Sequence, residues 1–83
     1  MNPIIKQTSL LVCIAKNKYA ICDTLADCSK AVRNHINKND LGSGQFYNNP
    51  KAGEILHHLD GKIGHVSYNG RVWDNNNNEI SIN

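Results

Sequence analysis

Cysteine and histidine side chains are the first candidates for chemistry in this chain. Cys22, Cys28 and His35 are residue types that bind zinc, or that pair a nucleophile with a base. Zinc motifs present two thiolates from one tight C-x2-C turn, whereas five residues separate Cys22 from Cys28. No nucleophile-elbow sequence or glycine-lined oxyanion loop accompanies them. We therefore predict structural thiols, packed as small apolar side chains.

A second candidate is a histidine pair in the C-terminal third. Counting across the Asp60-Gly61 turn makes His58 and His65 diagonal neighbours on one sheet face, where a transition metal could bridge them. His57 faces the other way, and no Asp, Glu or Cys completes such a site. Ser67 beside His65 also lacks the loop of a hydrolase. The sequence thus favours surface histidines, and it predicts no enzyme, no metal and no cofactor.

Length and composition indicate one small domain spanning residues 1–83. Hydrophobic content of 40% and charged content of 19% are typical of globular chains. The net charge of +2, from nine Lys and Arg against seven Asp and Glu, is low for a dedicated DNA-binding protein. Because the three cysteines are an odd number, at least one of them is unpaired in a monomer. The apolar run from Leu10 to Ala15 is too short for a leader or a membrane span. We expect a cytosolic protein with reduced thiols.

Strand and helix signals predict an α+β fold, with one amphipathic helix packed on an antiparallel sheet in the order β-β-α-β-β-β. Residues 9–15 and 19–22 read as two strands joined by the turn Lys16-Asn17-Lys18. A helix from Pro3 to Ala15 is the open alternative, because proline suits a first helical turn.

The predicted helix has clear start and stop signals. Thr24-x-x-Asp27 has the form of a capping box, and Leu25, Cys28, Val32 and Ile36 recur at spacings of three and four. Asn39-Asp40 and Gly42 should end it. A linker loop from Asp40 to Gly53, which contains two aromatic residues, is expected to follow.

Three short strands are predicted between Glu54 and Asp74. Asp60-Gly61 and Asn69-Gly70 suit two-residue type I′ turns, because both positions of such a turn have positive φ. The Asn-rich segment 75–83 is expected to be a frayed tail, in which residues 79–82 could add an edge strand.

The register that these turns imply divides the side chains between two faces. Across the second turn Val66 should face Trp73, and across the first Leu56 should face His65. The larger set should pack under the helix, and consists of Ile55, His57, Leu59, Val66, Tyr68 and Trp73. The other set should form a half-apolar outer face, and consists of Leu56, His58, Ile63, His65, Ser67 and Val72.

The whole pattern resembles small accessory proteins of phages and mobile elements, of which the anti-CRISPR inhibitors are the best-known functional group. The resemblance lies in the segment from Thr24 to Ile36, the following Leu41-Gly42-Ser43-Gly44, and the closing run from Val66 to Trp73. It implies a single-domain, non-catalytic viral protein in the cytoplasm of a bacterial host. Its partner would be a host defence protein or ribonucleoprotein, with a CRISPR effector as the suspected target.

Two partner surfaces follow as hypotheses, neither involving a membrane. A protein-binding surface would combine the outer face, including His58 and His65, with aromatic and arginine anchors at Phe46, Tyr47 and Arg71. The alternative is a nucleic-acid-binding regulator that uses the helix face of Lys30, Arg33 and Lys38. A homodimer closed through the outer face is a further possibility.

Overall fold

The computed structural model describes residues 9–82 and confirms the α+β prediction. Its sheet is antiparallel, with six strands in the order β2-β1-β3-β4-β5-β6. The bounds in chain order are β1 Leu10–Ala15, β2 Lys18–Cys22, α1 Leu25–Lys38, α2 Ser43–Tyr47, β3 Glu54–His57, β4 Gly61–Val66, β5 Val72–Asp74 and β6 Glu79–Ile80.

The N-terminal hairpin forms as predicted. Strand β1 pairs with β2, with Val12 opposite Ala20, and Asn17 in the turn has a positive φ of 58°. Asn tolerates this left-handed conformation better than most residues. Residues 10–15 are thus a strand rather than the end of a helix. Positions 3–8 of the alternative helix lie outside the described residues.

Helix α1 begins and ends by the signals that predicted it. The Thr24 hydroxyl accepts the Asp27 N–H at 3.1 Å, and Cys28, Val32 and Ile36 are buried. At the other end, Asp40 adopts a positive φ of 51°, and the Leu41 N–H donates to the Ile36 carbonyl at 3.0 Å. This six-to-one bond is the Schellman closure of a helix.

The predicted linker loop between Asp40 and Gly53 was wrong in one respect, because it contains helix α2. The Gln45 side chain accepts the Gly42 N–H at 2.8 Å, so Gly42 begins a second helix instead of only ending the first. Phe46 anchors α2 in the core. A five-residue helix with one apolar anchor has too little periodicity to be seen in the sequence.

Both predicted type I′ turns are instead three-residue turns. His57 pairs with Gly61, which leaves residues 58–60 as the turn, and Gly61 has φ of 70°. In the second turn the Gly70 N–H donates to the Ser67 carbonyl, and the Ser67 N–H donates to the Arg71 carbonyl, both at 2.9 Å. In both hairpins the glycine has a positive φ and the residue before it does not, whereas a type I′ turn needs a positive φ at both central positions.

The longer turns correct the predicted register. Val66 pairs with Val72 and His65 with Trp73, so Val72 is buried in the core and Trp73 moves to the outer face. A slip of one residue reverses every side chain of a strand, which explains the exchange.

The register across the first turn changes too. His65 lies opposite Glu54, not opposite Leu56, and the register shifts between Ile55 and Leu56. His58 and Leu59 lie in the turn itself, so His58 is not a diagonal neighbour of His65.

The Asn-rich segment forms the turn of a β5–β6 hairpin. The Asp74 carboxylate accepts the N–H groups of Asn76 and Asn78 at 2.8 and 2.9 Å, and these bonds lower the pKa of Asp74. Asn77 has a positive φ of 63°. Asparagine therefore supplies the backbone conformation that this turn needs.

One helix and the inner sheet face enclose the core. Val12, Ile55, Val66 and Val72 from four strands meet α1 there, and Phe46 closes one side. All buried side-chain nitrogen and oxygen atoms of the described residues have hydrogen-bond partners.

We predict that Gly64→Ala destabilises the protein by about 2–4 kcal/mol. A Cβ at position 64 would overlap the Trp73 carbonyl on the neighbouring strand. Urea unfolding measures the change. The control is Gly44→Ala in α2, where a Cβ meets nothing within 4 Å. Equal stability of the two variants would contradict the tight β4–β5 approach.

Candidate functional site

The outer sheet face carries a row of side chains that runs across four strands. Ile21 lies opposite Leu11, Leu11 opposite Leu56, and Leu56 opposite Lys62. We call these four residues the outer row. Leu11, Ile21 and Leu56 do not pack against the buried core, and Ile21 is 63% exposed. The row is therefore an aliphatic strip with a cation at one end.

Polar and aromatic groups flank this strip. Tyr19, opposite Cys13, is 38% exposed, and the Trp73 indole is held by donation from Nε1 to the Ser67 hydroxyl at 3.2 Å. Burial, and secondarily Lys62, lower the pKa of His65, so its ring is neutral at pH 7. The outer face is thus partly apolar, as the sequence predicted, but its members differ: Val72 is buried and the predicted member Ile63 packs against the core.

The two predicted loop aromatics have different environments. Phe46 is 3% exposed and belongs to the core, so it is not available to a partner in this structure. Tyr47 is 51% exposed, but its hydroxyl accepts the Tyr68 N–H at 2.8 Å. The two rings meet edge to face with centroids 4.9 Å apart. Tyr47 is the member of this pair that can contact another molecule.

Arg33 is committed to an internal contact. Its Nη1 donates to the Tyr68 carbonyl at 2.6 Å, and the guanidinium lies 5.3 Å from the centroid of the Tyr68 ring. The Ser29 hydroxyl beside it donates to the Gly70 carbonyl at 2.6 Å. Together they fasten α1 to the β4–β5 turn. Lys30 and Lys38, the other members of the predicted basic face, stay exposed.

The remaining predicted partner residues are scattered. Arg71 is exposed and lies 3.9 Å from the Glu79 carboxylate. His58 is exposed in the β3–β4 turn, where its ring lies 4.6 Å from that of His57. His65 alone of the predicted histidine pair belongs to the outer face. The structure therefore does not gather the predicted residues into one site.

The cysteines are buried free thiols. Burial raises the pKa of Cys22 and, far more strongly, that of Cys28, which keeps both protonated at neutral pH. A protonated thiol is a poor nucleophile and a poor metal ligand. Within residues 9–82 no group of three or more His, Cys, Asp or Glu side chains is placed to hold a metal ion.

A cavity of about 630 Å³ opens beside the end of the N-terminal hairpin. The β1–β2 turn, the C-terminal end of α1 and the segment from Gln45 to Lys51 form its walls. Sequence reasoning missed this cavity because no single segment carries its pattern. The positive charges of Lys16 and Lys51 were the one available signal, and they lie in separate loops.

Comparisons with protein-family models, curated proteins and solved structures find no match. None of the helices described is long and apolar enough to cross a bilayer. Functional assignment therefore depends on the geometry of the outer row and of the cavity.

We expect Arg33→Ala to lower the free energy of unfolding by about 1–2 kcal/mol, because the Tyr68 carbonyl would lose a charged donor. Lys30→Ala on the same helix is the matched control and should change it by less than about 0.5 kcal/mol. Urea unfolding of both variants gives the comparison. Equal stability would show that the Arg33 contact is not structural.

The buried thiols predict a loss of stability at alkaline pH. Cys28 stays protonated in the folded state, whereas in the unfolded chain it ionises near its ordinary pKa of about 8.5. The unfolded state then binds fewer protons, so stability falls as pH rises above that value.

Between pH 8 and 9.5 we expect the wild type to lose about 1 kcal/mol more than Cys28→Ala. Urea unfolding at the two pH values measures this difference. Parallel losses in the two proteins would show that the Cys28 thiol is not the linked group.

Proposed function

We propose that this protein is a non-catalytic binding protein that covers part of a larger protein or ribonucleoprotein complex through its outer sheet face. The outer row carries this proposal. Three aliphatic side chains, Leu11, Ile21 and Leu56, stand side by side on the outer face, and none of them packs against the buried core. Apolar area of this kind marks surfaces that bind other proteins.

The chemistry of the row favours a protein over a nucleic acid. Phosphate backbones are bound by several cations together, whereas the outer row contains only Lys62. Arg33, the central cation of the basic face of α1, donates to the Tyr68 carbonyl and is therefore not free to bind a phosphate. Lys62 at one end of the row fits a carboxylate of the partner beside an apolar centre.

The available surface is large enough for such a partner. A standard protein interface buries about 800 Å² on each side. The described protein exposes 5675 Å² in total, so one standard interface would cover about one-seventh of it. The outer face ends at the edge strand β2. Tyr19 and Ile21 on that edge are its most exposed anchors.

The resemblance to anti-CRISPR inhibitors specifies the proposed partner. We assign the protein to the small phage-encoded inhibitors that act in the cytoplasm of a bacterial host. The partner would be a host defence protein or ribonucleoprotein, with a CRISPR effector as the first candidate. Occlusion of a functional surface needs no catalytic group, so inhibition is consistent with buried, protonated thiols.

We expect Ile21→Ser to weaken partner binding at least tenfold, because it removes an exposed anchor of the outer row. Leu59→Ser is the matched control: Leu59 is 77% exposed but lies in the β3–β4 turn. Tagged wild type and variants are incubated with bacterial lysate, with and without nuclease, and bound proteins are quantified by mass spectrometry. The recovered complex is then titrated with each purified protein.

A nuclease-resistant complex that Ile21→Ser loses and Leu59→Ser retains would support the proposal. Equal recovery by both variants would exclude the outer row as the binding surface. Binding that nuclease abolishes, and that weakens steeply with salt, would favour the nucleic-acid-binding alternative. A concentration-dependent dimer that Ile21→Ser disrupts would instead assign the row to self-association.

A further inference from the structure

The cavity beside the hairpin end has the size of a small-molecule site. Its volume of about 630 Å³ falls within the range of about 300–1,000 Å³ found for ligand pockets. We call it the hairpin-end cavity. Ile14, Leu41 and Phe46 are among the apolar side chains that line it. Phe46 and the half-buried Ile14 and Leu41 also belong to or pack against the core, so these walls are fixed by the fold.

The formally charged side chains that line this cavity are both lysines. Lys16 and Lys51 line it, and no carboxylate is among its lining residues. Both lysines are exposed, and neither forms an ion pair within the described residues. Burial first, and then the nearby charges of Lys18 and Lys38, lower the pKa of His35 in the cavity wall. Four ammonium groups therefore lie in or near the cavity, beside a neutral imidazole.

Three of the last four carbonyl groups of α1 are already hydrogen-bonded. The carbonyls of His35, Ile36 and Asn37 accept the N–H groups of Asn39, Leu41 and Asp40, respectively. These oxygens, which would otherwise repel an anion, are thus already hydrogen-bonded.

Two neutral polar side chains of the wall are occupied as well. Asn49 donates from Nδ2 to the Cys13 sulfur at 3.3 Å and accepts the Lys51 N–H at 3.1 Å. The carbonyl oxygen of Gln45 accepts the Gly42 N–H. Asn17, Tyr19 and Asn48 also line the cavity as uncharged polar groups, and the only ammonium groups in its lining are those of Lys16 and Lys51, beside the apolar side chains.

From this arrangement we infer that the hairpin-end cavity binds a small amphipathic anion: a molecule with an apolar body and one anionic group. The apolar body contacts Ile14, Leu41 and Phe46, while the anion lies between the ammonium groups of Lys16 and Lys51. This site contains none of the four residues of the outer row, although it shares Tyr19 with the adjoining binding surface, and the inference does not depend on the proposed function.

Two naphthalene probes of similar shape test the inference. 8-Anilinonaphthalene-1-sulfonate carries a sulfonate, whereas N-phenyl-1-naphthylamine has the same ring system without it. Fluorescence titration should give one saturable site for the sulfonate probe, with an affinity at least about fivefold higher than that for the neutral probe. The preference should shrink as salt is added. Equal affinity for the two probes would overturn the anionic part of the inference.

A double variant locates the charge that is responsible. Lys16→Gln with Lys51→Gln should weaken sulfonate binding about fivefold and leave the neutral probe unchanged. Lys30→Gln with Lys62→Gln removes the same total charge away from the cavity and is the matched control. Equal weakening in both double variants would show attraction to net charge alone, and would contradict a built site.

Backbone and side-chain amide NMR spectra identify where the probe binds. We expect the sulfonate probe to shift the signals of Asn48, Asn49 and Lys51, and to leave those of Leu11 and Ile21 in place. Shifts confined to the outer row would overturn the inference. Because Ile21→Ser retains the cavity, loss of partner binding in that variant with intact probe binding separates this inference from the proposed function.

Discussion

The packing of α1 on one face of the sheet is the contact on which the rest of the structure depends. Cys28, Val32 and Ile36 bury the helix against residues from β1, β3, β4 and β5, and this contact fixes which side chains of every strand point inward. The helix has 14 residues and is about 21 Å long. Because it lies entirely against the inner face of the sheet, it leaves the outer face uncovered by a long helix. The aliphatic outer row is therefore a direct consequence of having one long helix and six strands.

A second set of contacts holds the ends of the domain in place, and these contacts are polar. Tyr68 is their centre: its carbonyl accepts from Arg33, its N–H donates to the Tyr47 hydroxyl, and its own hydroxyl donates to the Leu41 carbonyl at 2.8 Å. One residue of a β-turn thus joins α1, α2 and the segment between them. The position of Phe46 in the core depends on the same arrangement, and the hairpin-end cavity uses that ring as a wall.

Local signals predicted the elements of this fold better than its register. The Thr24 cap and the apolar helix stripe that contains Val32 lie in one continuous segment, so the sequence alone was sufficient to predict α1. Asn69-Gly70 marked a turn correctly, but the dipeptide suits a two-residue and a three-residue turn equally well. The difference of one residue depends on whether Val72 or Trp73 fits beneath the helix, which is a question of tertiary packing.

The same limit applies to the functional surfaces, since both are assembled from distant segments. The outer row needs the β1–β3 pairing, which joins Leu11 to Leu56 across 45 positions of sequence. The cavity needs the β1–β2 turn to meet the segment after α2. Phe46, which the sequence predicted as a partner anchor, is instead a buried core residue that forms part of the cavity wall.

The charge distribution explains how a chain with a net charge of +2 can have a strongly basic end. Several carboxylates have local structural partners: Asp74 accepts turn N–H groups, Glu79 lies near Arg71, and Asp60 lies 3.5 Å from His57. In contrast, no lysine among the described residues forms an ion pair. These three carboxylates are thus used within the fold, whereas the lysines remain available to bind other molecules. Four lysines lie around the C-terminal end of α1, against the one carboxylate of Asp40 that follows its C-cap, so positive charge is in excess there even though the total charge is small.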